Sequence, residues 1–126
     1  MFVYGETYLK LSYETATIFF LKSSGEVRSM LGTRCINTGN ILYPGIVSAL
    51  QGHDKRCNIK NGNIALIDLA LGEVRSFNIE RLLDITYHGE LKSEEEIGTA
   101  YKEFKAIKTE YESRMPQKLS IDTLSE

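Results

Sequence analysis

Residues 64–85, IALIDLALGEVRSFNIERLLDI, constrain the fold of this chain more than any other stretch. Ile64, Leu66 and Ile67 form an apolar run of strand length, and residues 68–72 supply a turn. Val74-Arg75-Ser76-Phe77-Asn78-Ile79 then alternates apolar and polar residues with period two, the pattern of a half-buried strand. Glu80-Arg81-Leu82 is too short for a stable helix and suits a single helical turn. Leu83-Asp84-Ile85-Thr86-Tyr87 alternates again. A hairpin, one helical turn and a closing strand make the second half of a small SH3-like barrel.

The first half is expected to supply the remaining strands. Residues 1–4 are apolar and Gly5-Glu6 reads as a turn, so residues 7–13, rich in β-formers, read as a strand or an extended arm. Residues 15–22, TATIFFLK, are apolar on both faces, which predicts burial by the barrel interior on one side and a covering element on the other. Ser23-Ser24-Gly25-Glu26 is a turn. Residues 27–35 return as the partner strand, with Gly32 at a bulge or bend. Residues 36–54 are broken by Asn, Gly and Pro, with a short helix expected at 44–51 behind Pro44. A loop of about 19 residues between strands is usually functional, so this is the expected binding loop. Asn61-Gly62 is a two-residue hairpin signal joining 56–60 to 63–69.

After His88-Gly89 the pattern changes from strand to helix. Ser93-Glu94-Glu95-Glu96 reads as a capping box. Ile97, Tyr101, Phe104, Ile107, Tyr111 and Met115 follow at helical spacing as one apolar stripe, and Pro116 stops it. The expected architecture is mainly β with a C-terminal α-helix. A five-stranded barrel occupies residues 1–89 with a long loop at 36–54. An amphipathic helix at 93–115 and a frayed tail occupy 90–126. Of the stripe, Ile97, Tyr101, Phe104 and Tyr111 are the expected contacts of a homo-oligomer, since aromatic residues anchor interfaces. Packing back onto the chain's own barrel is the alternative.

The 126 residues are 42% apolar and 25% charged, ordinary for a soluble globular chain. No run is long enough for a membrane span and no secretory signal is visible, and two cysteines make no disulfide framework. A reduced, cytoplasmic setting is expected. Residues 1–89 hold nine Lys/Arg against eight Asp/Glu, and residues 90–126 hold six against nine. The barrel is thus not basic enough for tight non-specific binding to duplex DNA. A small anion held by a few arginines remains open to it.

Two constellations qualify for such a site. Arg28, Arg34, Arg75 and Arg81 stand on or beside predicted strands, and a guanidinium grips phosphate or carboxylate with a planar fork of donors. Tyr43 and the run His53-Asp54-Lys55-Arg56 lie in the long loop, where Tyr43 could stack on a base and the cations hold phosphates. The bland readings are surface ion pairs with Glu26, Asp68, Glu73 or Glu80, and a polar loop tip. Cys35, His53, Cys57 and His88 match no zinc spacing. No nucleophile motif or phosphate-binding glycine loop is present. The expectation is a non-enzyme with no catalytic residue, no metal and no cofactor.

Residues 20–28 (FLKSSGEVR), Gly32-Thr33-Arg34, and Asp68 followed by Arg75-Ser76-Phe77 together resemble the small WYL-related, Sm-like SH3 β-barrel proteins of bacteriophages and their hosts. The resemblance spans about residues 17–85 and implies a five-stranded barrel with one helical turn before the last strand. Small phage barrels of this size include proteins that capture the signalling nucleotides of bacterial immunity. It therefore implies a binding protein in the host cytoplasm that sequesters a cyclic or signalling nucleotide. A nucleic-acid-binding or transcription-associated module is the first alternative, and a protein–protein adaptor inhibiting a host factor is the second.

Overall fold

The computed structural model describes residues 2–52 and 60–115. The chain runs α1 (Tyr4–Tyr13), β1 (Thr15–Leu21), β2 (Val27–Thr33), α2 (Ile36–Leu42), α3 (Ile46–Gly52), β3 (Asn63–Asp68), β4 (Glu73–Asn78), a 3-10 turn (Ile79–Arg81), β5 (Leu82–Gly89) and α4 (Glu94–Arg114). The five strands form one antiparallel sheet in the order β4-β3-β2-β1-β5. The 3-10 turn joins the two outermost strands, so the sheet curls toward closure as a small barrel. The fold is the expected five-stranded barrel with a C-terminal helix, carrying more helix than expected.

Two cores lie on the two faces of the sheet. Ala16, Ile18, Phe20, Met30, Ile64, Leu66, Phe77 and Leu82 face inward and meet Leu11 of α1. Leu31, Ala65, Ile67 and Leu69 face outward and are covered by Val47 and Leu50 of α3 and by Ile97, Ala100 and Phe104 of α4. This explains the doubly apolar β1. Ile18 is 0% exposed on the inner side, and Phe19 is 1% exposed on the outer side. Phe19 stacks on Tyr111 of α4 with ring centroids 4.0 Å apart.

The N-terminal segment corrects the sequence reading. Residues 7–13 are helical, and Gly5-Glu6 lies within the helix. Tyr4, Thr7, Tyr8 and Leu11 recur at helical spacing, and burying Thr7 and Leu11 against the inner core overrides the local β-propensity. The helix also closes an open sheet edge. β2 pairs with β3 only at Gly32↔Asp68 and Thr33↔Ile67. The carbonyls of Asn63 and Ala65 beyond that ladder are met by side chains. Tyr4 donates its hydroxyl to Asn63 O at 2.8 Å, and Arg34 donates to Ala65 O.

Residues 36–42 are a second correction: they form α2, and α3 begins at Ile46. Ile41, Leu42, Tyr43 and Ile46 pack against the outer core. Most of the expected binding loop therefore covers the sheet. The 56–60 arm of the expected hairpin lies mainly outside the described residues; Gly62 takes a positive φ of +72°, but Asn61 does not, so the two-residue turn with both central residues at positive φ does not form.

α4 follows the sequence closely. Ser93 caps it, its Oγ accepting from Glu96 N at 3.1 Å, while Glu96 accepts from Lys92 N at 2.8 Å. Ile97 and Phe104 are buried in the chain's own core and Tyr111 stacks on Phe19, so the expected oligomer contacts are largely internal. Tyr101 alone of the four is exposed, at 39%.

Candidate functional site

The strand pairings place three of the four predicted arginines along one cleft. Phe20 lies opposite Arg28 across β1 and β2 and opposite Leu82 across β1 and β5, which puts Arg28 on the inner face at the tip of the β1–β2 hairpin. On β4, Arg75 lies opposite Leu66 and Phe77 opposite Ile64, so both face inward as well. Arg81 enters from the 3-10 turn. Its Nη1 donates to the Lys22 carbonyl at 3.1 Å and ties the turn to the hairpin.

Between the hairpin and β4 these groups border an open cleft of about 470 Å³. That is the size range of small-molecule sites. Its lining holds Lys22, Arg28, Arg75 and Arg81, with Ser23, Asn63, Ser76 and Asn78 as neutral polar groups. The rings of Phe20 and Phe77 lie beneath, with centroids 5.9 Å apart. Four cationic side chains line the cleft and no carboxylate is among the lining residues.

The four cations are not equivalent. Arg75 is largely neutralised. Its Nε lies 3.6 Å from Asp68 Oδ2, and its Nη2 donates to Glu73 Oε2 at 3.2 Å. Asp68 is itself fixed, because its Oδ1 accepts from the backbone N–H groups of Ala70 and Leu71 to close the β3–β4 turn. Arg28 is half-buried and has no hydrogen-bond or ion-pair partner among the described residues. A guanidinium partly withdrawn from water beside other cations is most stabilised by an anion that satisfies several of its donors at once.

The remaining candidates lie elsewhere. Arg34 is 9% exposed and structural, donating to Ala65 O and to the Tyr8 hydroxyl, with its guanidinium over the Tyr8 ring at 4.4 Å. Tyr43 is outside the cleft lining. It packs over Gly72, whose φ is +69°, and donates its hydroxyl to Leu69 O at 2.8 Å. A Cβ on Gly72 would stand 2.8 Å from the Tyr43 ring, so a glycine there lets the ring close over the turn. His53, Lys55 and Arg56 lie outside the described residues. Lys22, Asn63 and Asn78 were missed in the sequence reading. Their only signal was position, at the ends of predicted strands next to turns.

A second polar cluster sits on the outer face. His88 Nε2 is 2.6 Å from Thr17 Oγ1, and its Nδ1 is 3.6 Å from Glu103 on α4. Burial pushes the His88 pKa below the ordinary histidine value, and Glu103 opposes that shift. Its side chain is 4% exposed, so this cluster joins helix to sheet and offers no opening to a ligand.

Among the described residues, no three His, Cys, Asp or Glu side chains converge as a metal site requires. No described helix is long and apolar enough to cross a membrane. Comparison with protein-family models, with curated proteins and with solved structures gives no match to this chain.

Proposed function

We propose that this protein is a non-catalytic binding barrel that holds a small anionic ligand, a nucleotide gripped by its phosphates, between β4 and the β1–β2 hairpin. One observation carries this reading. Arg28, half-buried and unpaired among the described residues, shares a cleft with Lys22, Arg75 and Arg81, and the nearby carboxylates of Asp68 and Glu73 are held by Arg75. Arg28 would supply the principal fork, Arg81 and Lys22 would close on the anion, and Arg75 would add the donors left to it by Glu73. Such a protein acts by keeping its ligand out of solution, in line with the sequestration implied by the resemblance to small phage barrels.

Thermal denaturation with inorganic phosphate, nucleoside phosphates and cyclic di- and trinucleotides tests the reading. A ligand at about 100 times its dissociation constant adds about 2.7 kcal/mol of stability. At least one member of the panel should raise the melting temperature of the wild type and raise that of Arg28→Ala clearly less. No shift with any of them contradicts the reading. Stabilisation by single-stranded RNA or DNA alone would favour a nucleic-acid module.

A further inference from the structure

We infer that the cleft recognises a linear chain of phosphates and is indifferent to the base attached to it; this inference rests on the anion-binding reading above. The cations stand on both lips. Lys22 and Arg28 belong to the hairpin side and Arg75 to β4, while Arg81 reaches from the turn after β4 to the Lys22 carbonyl and spans the two. A linear oligophosphate carries acceptor oxygens on all sides along its length and meets both lips at once. A carboxylate or a single phosphodiester presents fewer oxygens, on one side.

The neutral groups are partly spent on the fold. Asn78 is already engaged. Its Nδ2 donates to Asn61 O at 2.8 Å and to Asn63 Oδ1 at 3.1 Å, and its Oδ1 accepts from Glu80 N at 2.9 Å. The charged groups of the lining are all donors, matched to a ligand made of acceptors.

The aromatic residues also decide against base reading. Base recognition without hydrogen bonds relies on an open ring face for stacking. Phe20 and Phe77 are 7% and 3% exposed and are packed in the inner core. Their rings lie at 36° to each other, filling volume beneath the cleft. The ligand class is therefore a short linear oligophosphate, free or as the 5′ tail of a nucleoside di- or triphosphate.

Titration calorimetry on the full chain decides it, using inorganic tripolyphosphate, ATP, GTP and a cyclic dinucleotide at one ionic strength without divalent cations. The first three should bind within about threefold of one another, and the cyclic dinucleotide at least about tenfold more weakly. Arg28→Ala and Arg28→Gln should each weaken all binding by about tenfold or more while melting as the wild type does. A preference above about tenfold between ATP and GTP, or for the cyclic dinucleotide over tripolyphosphate, overturns the inference and leaves the anion site standing. Failure of all four to bind overturns both.

Discussion

Two arginines of one segment, residues 27–35, have opposite roles. Arg34 follows β2 and is consumed by the fold: it satisfies the Ala65 carbonyl and the Tyr8 hydroxyl where the β2–β3 ladder stops. Replacing it with Met would remove these donors from the buried Ala65 carbonyl and the half-buried Tyr8 hydroxyl. Arg34→Met should therefore cost about 2–3 kcal/mol in urea denaturation while leaving the affinity of any cleft ligand unchanged in the folded fraction. Arg28 holds no partner among the described residues. Arg28→Ala should change stability by no more than about 0.5 kcal/mol and weaken anion binding by about tenfold or more. A large stability loss on Arg28→Ala would mean that its charge serves the fold. The Arg75–Glu73 pair adds little of its own, since Glu73 is 60% exposed and such pairs are worth about 0–1 kcal/mol.

At the scale of the elements, α4 acts as the outer wall of the barrel. Phe104 is 7% exposed among Ile97, Ala100 and the outward side chains of β2 and β3. Phe104→Ala should cost about 3–4 kcal/mol by equilibrium unfolding, the usual cost of emptying such a site. The His88–Glu103 junction gives the same docking a pH dependence. The folded state holds His88 at a lowered pKa, so below the ordinary value of about 6.5 the unfolded chain binds more protons at this group. Its contribution is complete above about pH 6.5 and is lost as pH falls toward the folded-state pKa. Comparing stability at pH 7.5 and pH 5 should show a steeper acid loss in the wild type than in His88→Gln. Equal slopes would remove His88 from the account.

How much of each element was legible follows from where its determinants lie. The 64–85 stretch and the 93–115 helix carry their signals locally, in alternation, turn residues and a capping serine, and both form as expected. α1 was misread because Thr7, Tyr8 and Leu9 look like strand formers, whereas its helix is set by distant partners: the Asn63 carbonyl, Arg34 and the inner core. α2 was hidden by Asn37, Gly39 and Asn40, although Gly39 lets the helix lie close to the sheet. A Cβ there would stand 2.7 Å from Ile67. For the cleft, Arg28, Arg75 and Arg81 were readable as candidates, but their convergence depends on the curl of the sheet, which no local pattern encodes.

At the scale of the molecule, the near-neutral barrel brings four cationic residues, Lys22, Arg28, Arg75 and Arg81, to one cleft. Asp68 and Glu73 offset Arg75 at the β3–β4 turn, and further acidic residues lie in the first turn of α4. Ligand binding should therefore weaken with added salt, yet less steeply than binding to a nucleic acid, where many phosphates are engaged. The claim that anions bind between the hairpin and β4 is tested most directly by locating them. Backbone amide NMR spectra recorded during titration with inorganic tripolyphosphate do this residue by residue. The largest shifts should fall at residues 20–28, 63 and 75–81, and Arg28→Ala should need about tenfold or more tripolyphosphate to reach them. Shifts centred on α1 and α4, or none at saturating tripolyphosphate, would contradict it.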